Sequence, residues 1–172
     1  MLIKNKKILI LALHTDDAEF GCGGTISKLV NDNEVYCATF SACEQSVLSQ
    51  FPSDILITEF KNAAQILGIP KENLTLFDYR VRTFNYRRQE ILEDIIKLSQ
   101  KIQPDIIFMP SVNDIHQDHA VIASEGIRAF KFNTILCYEM PWNNFNFNTS
   151  CFFVLSAQNL EIKISALKCY ES

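Results

Sequence analysis

Two short clusters of histidine and carboxylate side chains are the parts of this sequence that could carry out chemistry. Residues 14–19 read HTDDAE and residues 116–119 read HQDH, and each cluster follows an apolar run. Together they contain all three histidines of the chain. Imidazole nitrogens and carboxylate oxygens without a thiolate suit a catalytic zinc, which takes three protein ligands and keeps one position open for water. Although one such cluster could simply cap a helix, the pair predicts a metal-dependent catalytic centre.

The predicted secondary structure brings the two clusters to one place. Apolar runs typical of buried strands lie at 8–13, 35–40, 74–77, 106–109, 135–140 and 152–155. Helices are predicted at 25–31, 54–67, 86–102, 118–130 and 160–170, with Asp118 as the N-cap of the fourth. This alternation indicates an α/β, Rossmann-like three-layer fold with a mainly parallel sheet. Since ligands bind at the carboxyl ends of parallel strands, the tips of the first and fourth strands are expected to share one site.

The glycine-rich stretch GCGG, residues 21–24, predicts a tight turn before the first helix. It lacks the GxGxxG spacing of a dinucleotide-binding loop, which argues against a nicotinamide oxidoreductase. Cys22 could be a nucleophile or a metal ligand, but a small residue that fits the turn is the favoured interpretation.

Composition narrows the class of protein. A length of 172 residues with 48% hydrophobic content fits one domain, predicted to span residues 1–172. The net charge of −4 gives no basic surface for nucleic acid. The run at 8–13 is too short for a signal peptide, so we expect a cytoplasmic protein without membrane insertion. The six cysteines form no CxxC pair and predict no sulfur-ligated zinc.

The motifs of this chain resemble those of one known family. HTDDAEFGCGGT at 14–25 resembles the AHPDDE-to-GCGGT signature of the PIG-L (LmbE-like) zinc N-deacetylases, and HQDH resembles their HxDH motif. Residues 59–68 resemble the family's ExxxAAxxLG helix, and residues 103–105 resemble its entry into the fourth strand. The stretches 138–142 and 163–170 are similar to members that act in surface-glycan biosynthesis.

The resemblance implies a role for each residue of the two clusters. His14, Asp17 and His119 would hold zinc, with iron(II) as the alternative metal. Asp16 would be the general base that takes a proton from water. His116 would either stabilise the developing oxyanion or protonate the departing amine.

Two further carboxylates and three departures complete the comparison. Glu19 and Asp118 would accept hydrogen bonds from the ligand imidazoles. Thr15 replaces the usual proline, and Leu56 stands where many members have an arginine that contacts substrate. Members usually continue beyond the point that corresponds to Ser172, so we expect a shortened member or a fragment.

Three residues outside the clusters are candidates for substrate binding. Arg80 and Arg82 belong to the only basic and aromatic concentration, 79–88, and could hold a phosphate or a sugar hydroxyl. Trp142, the single tryptophan, could stack on a sugar ring. The alternatives are a solvated arginine surface and a core tryptophan.

The sequence thus predicts a zinc-dependent hydrolase that removes an N-acetyl or other N-acyl group from an amino sugar or glycoconjugate. Its expected partner is a small N-acylated sugar, and self-association into a homo-oligomer is left open. The alternative is a catalytically silent metal- or nucleotide-binding module of Rossmann type.

Overall fold

A single parallel sheet forms the centre of the computed structural model, which describes residues 3–146 and 148–172. Its strands, in spatial order β3-β2-β1-β4-β5, are β1 (Lys7–Ala12), β2 (Glu34–Thr39), β3 (Leu74–Leu76), β4 (Ile106–Pro110) and β5 (Thr134–Tyr138). All four neighbouring pairs are parallel. The predicted α/β fold with a parallel sheet is confirmed.

Within the described residues, five α-helices cover both faces of the sheet. They are α1 (Asp17–Leu29), α2 (Ile55–Leu67), α3 (Arg88–Ile102), α4 (Gln117–Ala129) and α5 (Ala157–Leu167). Helices α1, α2 and α5 pack together on one face, and α3 and α4 pack together on the other. Strand β1 supplies both cores, because side chains alternate along a strand. Ile8 and Ile10 belong to the first core, and Leu9 and Leu11 belong to the second.

The order of the strands explains where a site can form. The chain runs outward from β1 to β3 and then returns to place β4 on the other side of β1. The β1–β4 pairing includes Ile8 opposite Ile106 and Ile10 opposite Phe108. The carboxyl ends of these two strands are therefore neighbours at the position where the strand order reverses, which is where open α/β sheets bind ligands.

The glycine-rich stretch is helical, so the predicted turn before a helix at 25–31 is wrong. Helix α1 already begins at Asp17, and it is kinked at Cys22, whose φ of −143° and ψ of 18° are not helical. Two glycines allow close packing instead. A Cβ at Gly21 would lie 2.3 Å from the Tyr138 ring, and one at Gly24 would lie 2.6 Å from Leu155 Cδ1.

Three other predictions about elements also differ from the structure. Residues 152–155 form no strand, since Phe153 packs against the first core while Phe152 and Val154 stay exposed outside the sheet. The N-cap of α4 is His116 rather than Asp118, because the His116 imidazole accepts the Asp118 backbone N–H. Helix α5 begins earlier than predicted, after a capping box formed by Ser156 and Asn159.

No helix within 3–146 and 148–172 has the length and apolar character needed to cross a bilayer.

Candidate active site

The three histidines converge at the carboxyl ends of β1 and β4. His14 follows β1 by two residues, and His116 and His119 lie at the start of α4, after the loop that follows β4. Each histidine offers one nitrogen such that all three nitrogens lie within 4.8 Å of one another. The predicted meeting of the two strand tips is thus present in the structure, and the imidazole nitrogens suit a zinc or iron(II) ion.

Asp17 lies between two of these histidines. Its Oδ2 is 3.4 Å from His14 Nδ1 and 3.4 Å from His119 Nε2. Two ligand atoms bound to one tetrahedral zinc at its usual bond lengths are about 3.4 Å apart, so the spacing fits a shared ion. The backbone N–H groups of Leu13 and His14 donate to the same oxygen at 3.1 and 2.9 Å. Asp17 is therefore held in place by the end of β1 itself.

The charges of the site favour a cation. Burial alone would lower the pKa of His14, but the carboxylates of Asp118 and Asp17 outweigh it and raise that pKa to about 11. Burial also acts to raise the pKa of Asp17, yet the hydrogen bond from His14 and the charge of His119 keep it lowered. A buried region that stabilises a positive charge on imidazole in this way also suits a divalent metal ion.

Asp114 orients His119 and was missed by the sequence analysis. Its Oδ2 lies 2.8 Å from His119 Nδ1, and its Oδ1 accepts the His116 backbone N–H at 2.9 Å. Both Asp114 and His119 are buried. A carboxylate on Nδ1 leaves Nε2 of His119 free for the ion beside Asp17, as is usual for metal-bound histidines. The sequence signal that could have identified Asp114 is its position as a carboxylate in the short loop between β4 and the second cluster.

Asp118 and Glu19 differ in what they contact. Asp118 Oδ2 lies 3.9 Å from His14 Nε2 and accepts the Arg82 backbone N–H at 2.6 Å. Glu19 is buried, and burial raises its pKa to about 8. Its Oε2 has no hydrogen-bond partner in the described part of the chain. Both residues are expected to accept hydrogen bonds from the ligand imidazoles. The position of Asp118 near His14 fits this role better than the position of Glu19 does, and both roles stay predictions.

Asp16 and His116 line a cavity of about 290 Å³ beside the histidines. Burial, followed by the negative charge of Asp17, raises the pKa of Asp16. Burial and the positive charges of His119 and His14 lower the pKa of His116. His116 Nδ1 accepts the Asp118 N–H at 3.3 Å, so the neutral imidazole carries its proton on Nε2. The cavity therefore combines a proton acceptor with a neutral N–H donor.

The candidate substrate residues are divided between this cavity and the surface. Arg82, which has a left-handed backbone with φ 65°, lines the cavity, as does Leu56. Arg80 is exposed and does not line it. Trp142 lies outside it, 59% exposed, with its ring against Phe20. A larger depression of about 560 Å³ at the amino ends of the strands contains no histidine, so we do not assign the chemistry to it.

Comparison with known proteins agrees with the fold and the motifs. The family model of the PIG-L GlcNAc-PI de-N-acetylases matches residues 9–130. The chain is 29% identical over 98% of its length to the uncharacterized deacetylase YaiS of Escherichia coli K12, covering 92% of that protein. It is also 29% identical over 74% of its length to the diacetylchitobiose deacetylase of Thermococcus kodakarensis, covering 50% of that protein.

Solved structures share the same architecture. The N,N'-diacetylchitobiose deacetylase of Pyrococcus horikoshii superimposes with a TM-score of 0.79 at 24% identity, over 95% of this chain and 69% of that one. A zinc-inhibited form of the teicoplanin deacetylase Orf2 gives a TM-score of 0.79 at 12% identity, over 95% and 83% of the two chains. Because the family model covers well over half of the sequence and includes both clusters, this chain belongs to the PIG-L family of de-N-acetylases.

Proposed function

We propose that this chain hydrolyses the N-acetyl amide of an amino sugar or glycoconjugate with the help of a bound divalent metal. The observation that carries the proposal is that Asp17 Oδ2 lies 3.4 Å from both His14 Nδ1 and His119 Nε2. The cavity lined by Asp16 and His116 lies beside these atoms. Deacetylation is the activity of the family, and the diacetylchitobiose deacetylase among the relatives supports the amino sugar.

His14, Asp17 and His119 would hold the metal, for which zinc is the proposed identity and iron(II) the alternative. When bound, the ion polarises the amide carbonyl and lowers the pKa of a neighbouring water. The buried Asp114 keeps His119 in the tautomer that a ligand requires.

Asp16 would act as the general base. Its carboxylate accepts a proton as the water oxygen attacks the carbonyl carbon, and its raised pKa brings it closer to the operating pH than an ordinary aspartate. The same proton can then pass to the nitrogen as the C–N bond breaks, so that acetate and a free amine leave. Atoms and charges balance with one water consumed.

His116 would stabilise the oxyanion rather than supply the amine proton. Its lowered pKa keeps the ring neutral, and the bond to its Nδ1 leaves the Nε2–H as a donor. A fixed donor aimed at developing negative charge is among the largest contributions to catalysis of acyl transfer. Arg82, on the wall of the same cavity, would contact the sugar. Arg80, which is exposed outside the cavity, would bind a more distant part of it.

An acetate-release assay with the zinc-supplemented chain tests this proposal. N-acetylglucosamine and N,N'-diacetylchitobiose should both release acetate, and Asp16→Asn should lower kcat by about 10²- to 10⁴-fold, with the zinc content unchanged. Asp32→Asn, at a surface ion pair with Lys4, is the matched control. Full activity of Asp16→Asn would remove the proposed base. Bound zinc without turnover of any N-acyl sugar would favour the silent metal-binding module.

The expectations about location, partners and domain organisation stay predictions. They are the cytoplasmic location, the absence of a nucleic-acid partner and the single domain, while self-association stays open.

A further inference from the structure

An exposed aromatic pair lies outside the cavity that contains Asp16 and His116. Phe20 of α1 and Trp142, four residues beyond β5, meet edge to face with ring centroids 5.2 Å apart and planes at 90°. Phe20 is 38% and Trp142 59% exposed. Neither side chain has a part in the proposed hydrolysis, although large apolar rings are costly to leave in water.

The fold builds this pair through a close contact between α1 and β5. Gly21 lets the helix approach Tyr138 so closely that a Cβ there would collide with the ring at 2.3 Å. The Tyr138 hydroxyl donates to the Leu11 carbonyl at 2.9 Å, which fixes the ring against β1. Lys163 of α5 donates to the Phe20 carbonyl at 2.8 Å. The two aromatic residues are thus held by the framework rather than by a chance surface contact.

The pair is attached to both clusters of the candidate active site. Phe20 follows Asp17 by three residues on α1. Trp142 precedes Asn143, whose carbonyl accepts the backbone N–H of Ile115, the neighbour of His116, at 3.0 Å. Two steps along the chain and one hydrogen bond place the Cα atoms of His116 and Trp142 within roughly 13 Å of each other. With this upper limit, Trp142 lies within reach of a disaccharide or longer glycan bound at the cavity.

The surroundings of the rings suit a sugar better than an acyl chain or a protein partner. Exposed amide side chains lie close in sequence to the second cluster and to Trp142, at Asn113, Gln117 and Asn146. Amides both donate and accept hydrogen bonds, as sugar hydroxyls do. Rigid aromatic faces with polar groups around them match a pyranose, which has an apolar C–H face and a polar edge.

We propose that Phe20 and Trp142 form a binding platform for the sugar ring next to the one that carries the reacting N-acetyl group. The preferred substrate class is therefore a disaccharide or longer glycan, rather than a free N-acetylated monosaccharide. This inference rests on the proposed function for the position of the reacting ring, but the platform can be tested without turnover.

The single tryptophan provides a direct binding measurement. Chitobiose has no amide left to hydrolyse, and its titration into the zinc-supplemented chain should change Trp142 fluorescence in a saturable way, with glucosamine binding more weakly. Phe20→Ala should weaken chitobiose binding about three- to tenfold. Phe132→Ala, another exposed aromatic residue beyond α4, should leave it unchanged. Equal affinity for the two sugars, or an unaffected Phe20→Ala variant, would overturn the platform.

Kinetics separate the platform from the proposed hydrolysis. Trp142→Ala should lower kcat/KM for N,N'-diacetylchitobiose about tenfold and leave that for N-acetylglucosamine within about twofold. Equal losses for both sugars would assign Trp142 to folding or catalysis instead. Should the parent chain hydrolyse neither sugar, the proposed function fails while the fluorescence titration still decides the platform. Far-UV circular dichroism confirms that each variant is folded.

Discussion

Asp114 is the residue on which the geometry of the candidate metal centre depends most without being a proposed ligand. One of its oxygens faces His119 Nδ1 and the other holds the His116 backbone. Loss of its charge would weaken the orientation of one ligand imidazole and of the loop that carries the oxyanion donor. The residue therefore couples metal binding to the placement of His116.

We expect Asp114→Asn to lower zinc affinity about 10- to 100-fold, as is typical for residues behind metal-bound histidines. The amide keeps the size of the side chain but removes its charge, so a packing defect is small. Competition with a chromophoric chelator measures the zinc Kd, and Asp32→Asn at the surface serves as the control. Unchanged zinc affinity would mean that Asp114 positions only the loop that carries His116 and does not support zinc binding.

At the scale of elements, the contact between α1 and β5 depends on the absence of a Cβ atom at Gly21. We expect Gly21→Ala to lower the free energy of unfolding by about 1–3 kcal/mol, because the new Cβ overlaps the buried Tyr138 ring. Gly23→Ala is the matched control on the same helix. Its nearest neighbour is the flexible Lys163 Cγ at 3.3 Å, and alanine favours a helix over glycine. Urea unfolding compares the two variants, and equal losses would contradict the packing argument.

The same helix shows where sequence reasoning reaches its limit. The apolar runs of β1 and β4 and the histidines behind them predicted both the sheet and the meeting of the two clusters. Residues 17–24 are predicted as a loop and turn, because Gly21, Gly23 and Gly24 have low helix propensity. Only the tertiary contacts with Tyr138 and Leu155 explain those glycines. Asp114 was missed for a similar reason, since a hydrogen bond across five residues of a loop leaves no periodic pattern.

At the scale of the whole molecule, an ion bound at the candidate centre would connect the two halves of the sheet. His14 and Asp17 belong to the β1–α1 connection, and His119 belongs to the helix after β4. An ion bound to all three would therefore stabilise the folded chain against the unfolded one, in which these residues are far apart. The effect follows mass action and grows with the concentration of free metal.

Zinc at about 100 times its Kd should add about 2.7 kcal/mol of stability. For a chain of this size that corresponds to a rise in Tm of about 5–10 °C over the chelator-treated protein. Asp17→Asn should lose most of this rise, because it removes the oxygen that lies between His14 and His119, whereas Asp32→Asn should keep it. Differential scanning calorimetry with and without zinc measures both. The same rise in Asp17→Asn would place the ion on the three histidines instead, which also approach one another closely enough to share it.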